Sequence, residues 1–401
     1  MGLIQSSRLD LSMTSTLPSL LISIPDGVID LGWGHPSPRL HPTDALATAA
    51  QSVLGQQSVV PLQYGAVQGF GPLLESLATY LSAQESYRGP VTPESLFLTA
   101  GASAAIDLAT TLYATAGDTV TVEEPTYYLI EQIFVDHGLN VVGIPTDTEG
   151  LDTDALADLL ASDDSPRPKL LYTIPTYQNP TGSVLPLHRR QHLIDLAQRH
   201  GFTIIADEVY QLLHYGPPPP PPMATLDDSP GGCVVSLGSF SKILSPGLRL
   251  GWIHASPLII RRFVDSGVAA SGGGLSHFAA TLAHATLEMG LLQENIETLR
   301  RVYGHRHDDV ADLLRREFAD TVHFTPPGGG YFYWLALTDG TNTDALLPAA
   351  REAGVSYRPG TAFSASGAFT DALRISISLY ETDELAEGIR RLGRATQISQ
   401  R

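Results

Sequence analysis

Short apolar runs recur along the chain between stretches of helical periodicity. Those near Leu96–Thr99, Thr119–Glu123, Asn140–Ile144, Leu170–Ile174, Phe202–Ala206, Val234–Leu237 and Leu250–Ala255 read as strands. Helices fill most of the gaps, as at Ala102–Ala114 and Pro186–His200. In the first of these, Ala105, Ile106, Ala109, Leu112 and Tyr113 form one apolar stripe. Such alternation predicts an α/β fold with a mostly parallel, seven-stranded sheet and helices on both faces.

One connection breaks the pattern. Between Leu237 and Arg249 there is no room for a crossover helix, and the segment contains Pro246 and Gly247. A parallel return needs about a dozen residues, usually helical. The strand starting near Arg249 is therefore expected to run antiparallel. That carries Arg249 to the edge where the other strands end. Beyond about Ala280 the character changes. A long helical stretch, Gln293–Phe318, precedes strands at Tyr331–Leu337, Gly354–Arg358 and Ala372–Leu379. This predicts a large domain over 41–285 and a smaller C-terminal α/β domain over 286–401. The segment 1–40 is expected to pack with the smaller one. The triplet Gly272-Gly273-Gly274 reads either as a loosened backbone near the site or as a plain loop. The run Pro217–Pro222 is too rigid and too poor in donors for a helix or inner strand, and is expected to form a surface loop.

Composition narrows the class. The chain has 401 residues, 43% of them hydrophobic and 16% charged, which suits a globular protein with a sizeable core. The 24 basic and 42 acidic residues leave a formal charge of -18. Such a surface repels phosphate backbones and anionic lipid, so neither nucleic acid nor a membrane is an expected partner. Cys233 is the only cysteine, which rules out an intrachain disulfide and a thiolate metal cluster. Its apolar neighbours mark it as an inert core residue. The N-terminus lacks a signal-peptide pattern, and no apolar run reaches the roughly 20 residues that span a bilayer. A cytoplasmic protein is expected.

The stretch that carries chemistry is Ser239-Phe240-Ser241-Lys242, continued by Pro246-Gly247-Leu248-Arg249-Leu250-Gly251-Trp252. Lysine is a poor nucleophile while protonated, with an ordinary pKa of about 10.4. Nearby positive charge or desolvation frees its amine for imine chemistry. A cationic Arg249, two hydroxyls and a glycine turn suit a phosphate beside such a lysine. This string resembles that of the fold-type-I enzymes dependent on pyridoxal 5′-phosphate (PLP). Within them it is similar to the class I/II aminotransferases, near the 2-aminoadipate and aromatic aminotransferase branch. The resemblance runs from about Gly32 to Arg391.

The resemblance implies the PLP-dependent transferase fold, an imine between Lys242 and the cofactor, and transamination between an amino acid and a 2-oxo acid. It makes Asp207, in Ala206-Asp207-Glu208-Val209-Tyr210, the partner of the ring nitrogen; alone, Asp207 would suit a helix N-cap. It makes Asn179 and Tyr210 donors to the ring's phenolic oxygen and Tyr127 the residue stacked on the ring. Gly101, Ala102 and Ser103 open a helix whose positive end would face the phosphate, with Ser239, Ser241 and Arg249 beside them. Many relatives carry a longer polar side chain where this chain has Ala102 and Ala104. Arg374 is implied to grip the substrate carboxylate, near Gly34 and Asn179. Tyr64 is implied to reach the phosphate of a neighbouring subunit, which makes a homodimer with shared sites.

Lyases, cyclases, oxidases and carbon–carbon bond-forming enzymes on this scaffold, some in specialised metabolism, would share the same cofactor contacts. That alternative stays open on the sequence. A regulator with an N-terminal DNA-binding helix-turn-helix is disfavoured by the charge and by the start of the resemblance near Gly32. Arg39 is left between contacting a distal carboxylate and simple exposure. Gly65, Gly69 and Gly71 lack the strand–turn–helix context of a dinucleotide loop. His305 and His307 lie in a charged helix without a third metal ligand, which predicts a solvated face. Asp152 and Asp154 most simply cap a helix.

Overall fold

The computed structural model describes residues 20–399 except Arg88, Ser165 and Pro230. The segment 1–19, on which the signal-peptide reading and part of the N-terminal segment fall, lies outside the described residues. The first strand, β1 (Ile29–Asp30), is followed by those of the large sheet. These are β2 (Leu96–Thr99), β3 (Thr119–Glu124), β4 (Asn140–Asp147), β5 (Gly150–Leu151), β6 (Pro168–Thr173), β7 (Thr203–Asp207), β8 (Val234–Ser239) and β9 (Gly251–Ala255). They lie side by side in the order β2-β9-β8-β7-β6-β3-β4-β5. The described sheet thus has eight strands rather than seven. The extra one, β5, is a two-residue hairpin partner of β4, too short to leave a periodic trace.

Strand direction follows the length of the connections. β3, β4, β6, β7 and β8 are mutually parallel. β9 is antiparallel to both β8 and β2, as its short connection requires. β2 and β8 are buried at every position, which explains why they read as unbroken apolar runs. Successive residues alternate between faces. Phe97, Ile205, Val235 and Ile253 meet Ala105, Ile106 and Ala109 of the helix Ala102–Tyr113. On the other face Leu171, Ile204 and Val234 meet Leu193, Ile194 and Ala197 of the helix Leu187–His200. The second helix stops at Gly201, whose φ of 75° is the left-handed conformation common just past a helix end. Asp152 caps the helix Thr153–Ala161, accepting from the backbone N–H groups of Asp154 and Ala155 at 3.0 Å.

A second sheet contains β10 (Val322–His323), β11 (Phe332–Leu337), β13 (Arg358–Pro359) and β14 (Ala372–Ser376), in the order β10-β11-β14-β13, whereas β12 (Val355–Ser356) pairs in parallel with β1. The expected single strand Gly354–Arg358 is thus two short ones with different partners. Between them Tyr357 is buried, its hydroxyl donating to the Thr343 carbonyl at 2.6 Å. The long helix Leu291–Phe318 and the last helix, Thr382–Ser399, pack on each other beside this sheet.

Three expectations need correction. The proline run is not a plain surface loop, because Pro219, Pro221 and Pro222 are buried. Prolines bring no N–H to satisfy, so their carbonyls remain free to accept. Pro220 takes the Gln211 side chain at 2.9 Å and Pro221 the Arg190 guanidinium at 3.0 Å. His307 is not on a solvated face; its ring lies 5.3 Å from that of Tyr333 and 6.0 Å from that of Tyr215. The Gly272–Gly274 triplet is neither loosened nor plain. An added Cβ on Gly273 would come within 2.4 Å of the Gly65 carbonyl, and one on Gly274 within 2.4 Å of the Ala66 carbonyl. These glycines let two backbones touch. Cys233 is buried, as expected, and burial pushes its thiol up to about 12.

Gly238 pairs across the sheet with Trp252, where an added Cβ would stand 2.0 Å from the indole. Gly238→Ala should therefore lower unfolding free energy by about 1–3 kcal/mol, the usual cost of overpacking a filled core. Equilibrium denaturation with an unchanged midpoint would contradict this packing.

Candidate active site

The strand ends gather the chemistry. β7 ends on Asp207, β8 ends on Ser239 and leads directly into the short helix Phe240–Ile243 that carries Lys242, and β2 runs into Gly101. Because β9 is antiparallel, its first residues reach this same edge, and Arg249 sits just before it with a φ of 46°. Gly251 makes the approach possible. A Cβ there would lie 2.7 Å from the Gly238 carbonyl and 3.2 Å from the Cα of Gly101. Open α/β sheets bind ligands beyond such an edge.

Asp207 is buried at the centre. Its Oδ2 accepts from the Tyr172 hydroxyl at 2.8 Å. Its Oδ1 is buried and has no partner among the described residues. Burial raises the Asp207 pKa, while the Tyr172 hydrogen bond, the Val209 backbone and Lys242 oppose that shift. A buried acceptor left without a donor costs about 1–3 kcal/mol, more when charged. A protonated pyridine nitrogen is the donor that this oxygen lacks, so the site fits PLP.

Lys242 extends its Nζ to the Gly34 carbonyl at 3.2 Å, with the rings of Tyr331 and Tyr210 at 5.4 and 5.9 Å. Burial brings its amine down to about 8; Asp207 works against the shift, and Arg374 and Arg249 add to it. The free base that imine chemistry requires is thus accessible near neutrality.

At the phosphate end, Gly101 has a φ of 93°, open to glycine and strained for other residues. A Cβ there would lie 2.9 Å from the Arg249 Nη2, which places the guanidinium over the first turn of the helix Ala102–Tyr113. Backbone N–H groups, the helix dipole and a cation converge there, an arrangement suited to a phosphate dianion. Ser239 is buried and accepts from the Ser241 N–H at 3.1 Å, leaving its own hydroxyl proton to donate. Ala102 is half-buried and Ser103 is exposed on the first turn.

The second sheet contributes Arg374. Arg374, fully buried in β14, donates through Nη1 to Asn179 Oδ1 at 2.7 Å and through Nη2 to the Gly32 carbonyl at 2.6 Å. Its Nε is buried without a partner among the described residues. Its guanidinium lies 4.1 Å from the Phe332 ring and 4.8 Å from that of Phe363. Burial lowers its pKa to about 10, which still leaves it cationic at neutral pH. Asn179 accepts from Arg374 through its oxygen, and its amide N–H groups make no hydrogen bond among the described residues. Tyr210 is buried edge-on to Tyr331 at 5.2 Å, and Tyr127 is half-buried, with burial raising its pKa to about 12. Tyr64 makes none of these contacts; it is 87% exposed, next to the Gly65–Gly274 bridge. Arg39 pairs with Glu384 at 2.7 Å.

Sequence reasoning missed the supports behind these groups. Glu123 accepts from the Ile174 N–H and from Gln178 Nε2, and burial raises its pKa to about 7. Gln178 also donates to the Pro125 carbonyl and accepts from the Thr181 N–H. This fixes the loop that presents Asn179. Arg190, wholly buried, ties the Leu185, Pro175 and Pro221 carbonyls to Glu208, the neighbour of Asp207. The available signal was Glu123 itself, an acidic residue at the end of an expected sheet strand.

These features define a PLP site on a fold-type-I scaffold, and the chain belongs to the class I and II aminotransferase family, whose model matches residues 26–392. It is 34% identical to a 2-aminoadipate transaminase of Thermus thermophilus over 95% of this chain and 93% of that protein. It is 34% identical to aromatic-amino-acid aminotransferase 1 of Thermococcus litoralis over 91% of this chain and 87% of that one. Its fold is similar to the crystal structure of a Thermus thermophilus alpha-aminoadipate aminotransferase complexed with N-(5′-phosphopyridoxyl)-L-leucine. That match has a TM-score of 0.83 and 34% identity, covering 93% of this chain and 92% of that one. The protein is an enzyme that transaminates with PLP; the lyase, cyclase and oxidase alternative is not favoured.

In the cofactor-free protein, Lys242 should react with an amine-directed acylating reagent at a rate that rises through pH about 8. Below that pH the amine is protonated and inert. Peptide mapping that places the midpoint near the ordinary lysine value of about 10.4 would contradict the desolvated setting.

Proposed function

We propose that Lys242 holds the cofactor and then shuttles the substrate's α-proton, that Asp207 holds the ring nitrogen's proton, and that Arg374 takes the substrate's α-carboxylate. The observation that carries this reading is the unpartnered Oδ1 of Asp207, buried on the sheet edge that also presents Lys242. When bound, PLP supplies a carbonyl that accepts the amino group and a protonated ring that absorbs the electrons left by the departing α-proton. The Nζ of Lys242, brought down by burial, would take that proton from the substrate's Cα and deliver it to the carbon that bore the cofactor's carbonyl, so that the amino group stays with the cofactor. The Arg374 fork presents Nε to the α-carboxylate and orients the bond that breaks. Tyr127 would stack on the ring, Tyr210 and the Asn179 amide would donate to its phenolic oxygen, and Gly101, Ala102, Ser103, Ser239, Ser241 and Arg249 would hold the phosphate. Gly34, whose carbonyl meets Lys242, borders the substrate. The substrates are an amino acid and a 2-oxo acid.

Absorbance spectroscopy of the holoenzyme tests this. An amino donor should convert the cofactor to its amino form in stoichiometric amount, and a 2-oxo acid should reverse the change. Lys242→Ala should slow the conversion by at least about 10²–10⁴-fold, the usual contribution of a positioned acid–base group. Conversion at the wild-type rate in that variant would remove Lys242 from the role.

The working unit we propose is a homodimer in which Tyr64 completes the partner's phosphate site. Its support is an exposed apolar band, Leu54, Val59, Val60, Leu62 and Tyr64, flanked by Phe278 and Met289. Contiguous exposed apolar surface of this kind marks an association face. Leu62→Glu should shift sedimentation toward the monomer and weaken PLP retention together; a wild-type monomer would refute the shared site. We also place the enzyme in the cytoplasm, where a single unpaired thiol is at home. Among the described residues no helix is long and apolar enough to cross a membrane.

A further inference from the structure

We propose that Glu124 is a positioning residue for the reaction: it fastens the loop that carries Phe363 to the end of β3, and so fixes Arg374 relative to Tyr127. This rests on the reading above, in which Arg374 takes the α-carboxylate and Tyr127 stacks on the cofactor ring.

Glu124 is the last residue of β3, three positions before Tyr127. One oxygen of its carboxylate, Oε1, accepts three hydrogen bonds from residues 240 and 242 positions further along the chain. They come from the Ser364 hydroxyl at 2.5 Å, the Ser366 hydroxyl at 2.7 Å and the Ser366 N–H at 3.4 Å. The other oxygen lies over Gly143 of β4, where an added Cβ would collide with it. Burial acts to raise the Glu124 pKa, but the bonds from Ser364 and Ser366 outweigh it and bring it below its ordinary value. The acceptor is therefore an anion at neutral pH. Hydrogen bonds to an ionised acceptor are about twice as strong as neutral ones.

Both serines lie in the stretch 360–371, which joins β13 to β14. Its ends are tied to the helix Thr343–Glu352. The Thr361 hydroxyl donates to Asp344 at 2.8 Å, and the Thr370 carbonyl accepts from the Thr343 N–H at 2.8 Å. Its middle is braced internally, with the Ala368 N–H donating to the Ser364 hydroxyl at 3.1 Å. Glu124 therefore grips a shaped loop rather than two loose hydroxyls. The loop moves with the second sheet, and the carboxylate that holds it belongs to the large one.

What the loop carries inward is Phe363, which is buried. The Phe363 carbonyl accepts from the N–H of Thr126, the neighbour of Tyr127, at 3.0 Å. The Phe363 ring meets Tyr128 edge-on at 5.5 Å and stands 4.8 Å from the Arg374 guanidinium. Arg374 is thus tied to the large-sheet side twice. Asn179 holds its Nη1 directly, and Phe363 sets its flank through the grip of Glu124. The second tie spans the two groups that must agree on where the substrate's Cα stands. Misplacing a reacting group by about 1 Å can slow a reaction about 10²-fold.

Two measurements on the holoenzyme test this. Glu124→Ala removes the acceptor, whereas Glu124→Gln keeps an oxygen where Oε1 stands and removes only the charge. In hydrogen exchange read by mass spectrometry, peptides covering 360–371 should exchange at least about 10-fold faster in Glu124→Ala, as expected when charge-assisted bonds are lost. Peptides covering 101–107, at the phosphate end, should be unchanged. In kinetics with the proteinogenic amino acid that wild type converts fastest, kcat/KM should fall about 10-fold in Glu124→Ala. Glu124→Gln should recover most of it, and the Kd of the cofactor-free protein for PLP should stay within about twofold throughout. Unchanged exchange over 360–371 would overturn the grip, and unchanged kcat/KM would overturn its role in positioning. A loss of PLP affinity as large as the loss in kcat/KM would make Glu124 merely structural and would also refute it. If wild type gives no half-reaction with any amino donor, it is the transamination reading that fails; the grip on the loop is still decided by hydrogen exchange.

Discussion

A carboxylate buried in protein must either be paired or give up its charge. Asp207 is the point at which this chain accepts that constraint. One of its oxygens is satisfied by Tyr172 and the other is left open. Around that vacancy the rest is arranged in depth. β7 ends where the carboxylate must stand, and the neighbouring Glu208 is anchored by wholly buried Arg190, which in turn draws on carbonyls freed by a run of prolines. A buried ion pair contributes little net stability, yet losing one partner leaves the other charge stranded. The Arg190–Glu208 pair therefore acts as a fixed post, keeping the acidic loop from relaxing into a better-solvated shape.

A similar logic holds the other wall. Glu123 and Gln178 lock the loop that presents Asn179, and Asn179 in turn hands its oxygen to Arg374. The contacts that fix Arg374 thus begin on the large sheet and end on the small one. The Asn179 oxygen and the Gly32 carbonyl meet at this one arginine and fix two of its nitrogens, while Nε stays without a partner among the described residues.

The large sheet was legible because several of its strands, β2, β8 and β9 among them, are buried on both faces and so announce themselves as apolar runs. The reversed strand β9 was legible from a connection too short to cross over. The string around Lys242 pointed to the cofactor, and the residues named with it gather at one sheet edge, except Arg374, which stands on the second sheet, and Tyr64, whose proposed partner is a second chain. What was hidden shares a cause. β5, and the split between β12 and β13, rest on two-residue pairings that no periodicity can signal. The burial of the proline run and of His307 depends on contacts with residues far along the chain. Arg358 closed the expected strand Gly354–Arg358, and only the register puts it opposite Arg374.

The segment Gly32-Trp33-Gly34 passes between the two sheets with almost no freedom of composition. At position 32 a side chain would meet Asp30, Tyr357 and Arg358 within 3.2 Å, and at position 34 it would drive into the Phe332 ring at 2.4 Å. Phe332 is also the floor on which Arg374 rests. Both glycines are therefore closed to larger side chains by their close neighbours, and a change at either would disturb Arg374, through the Gly32 carbonyl or through the Phe332 ring. Trp33 is the one position in the corridor that already carries a side chain. Any drift toward new substrates along this stretch is channelled through that single indole and the strand that faces it.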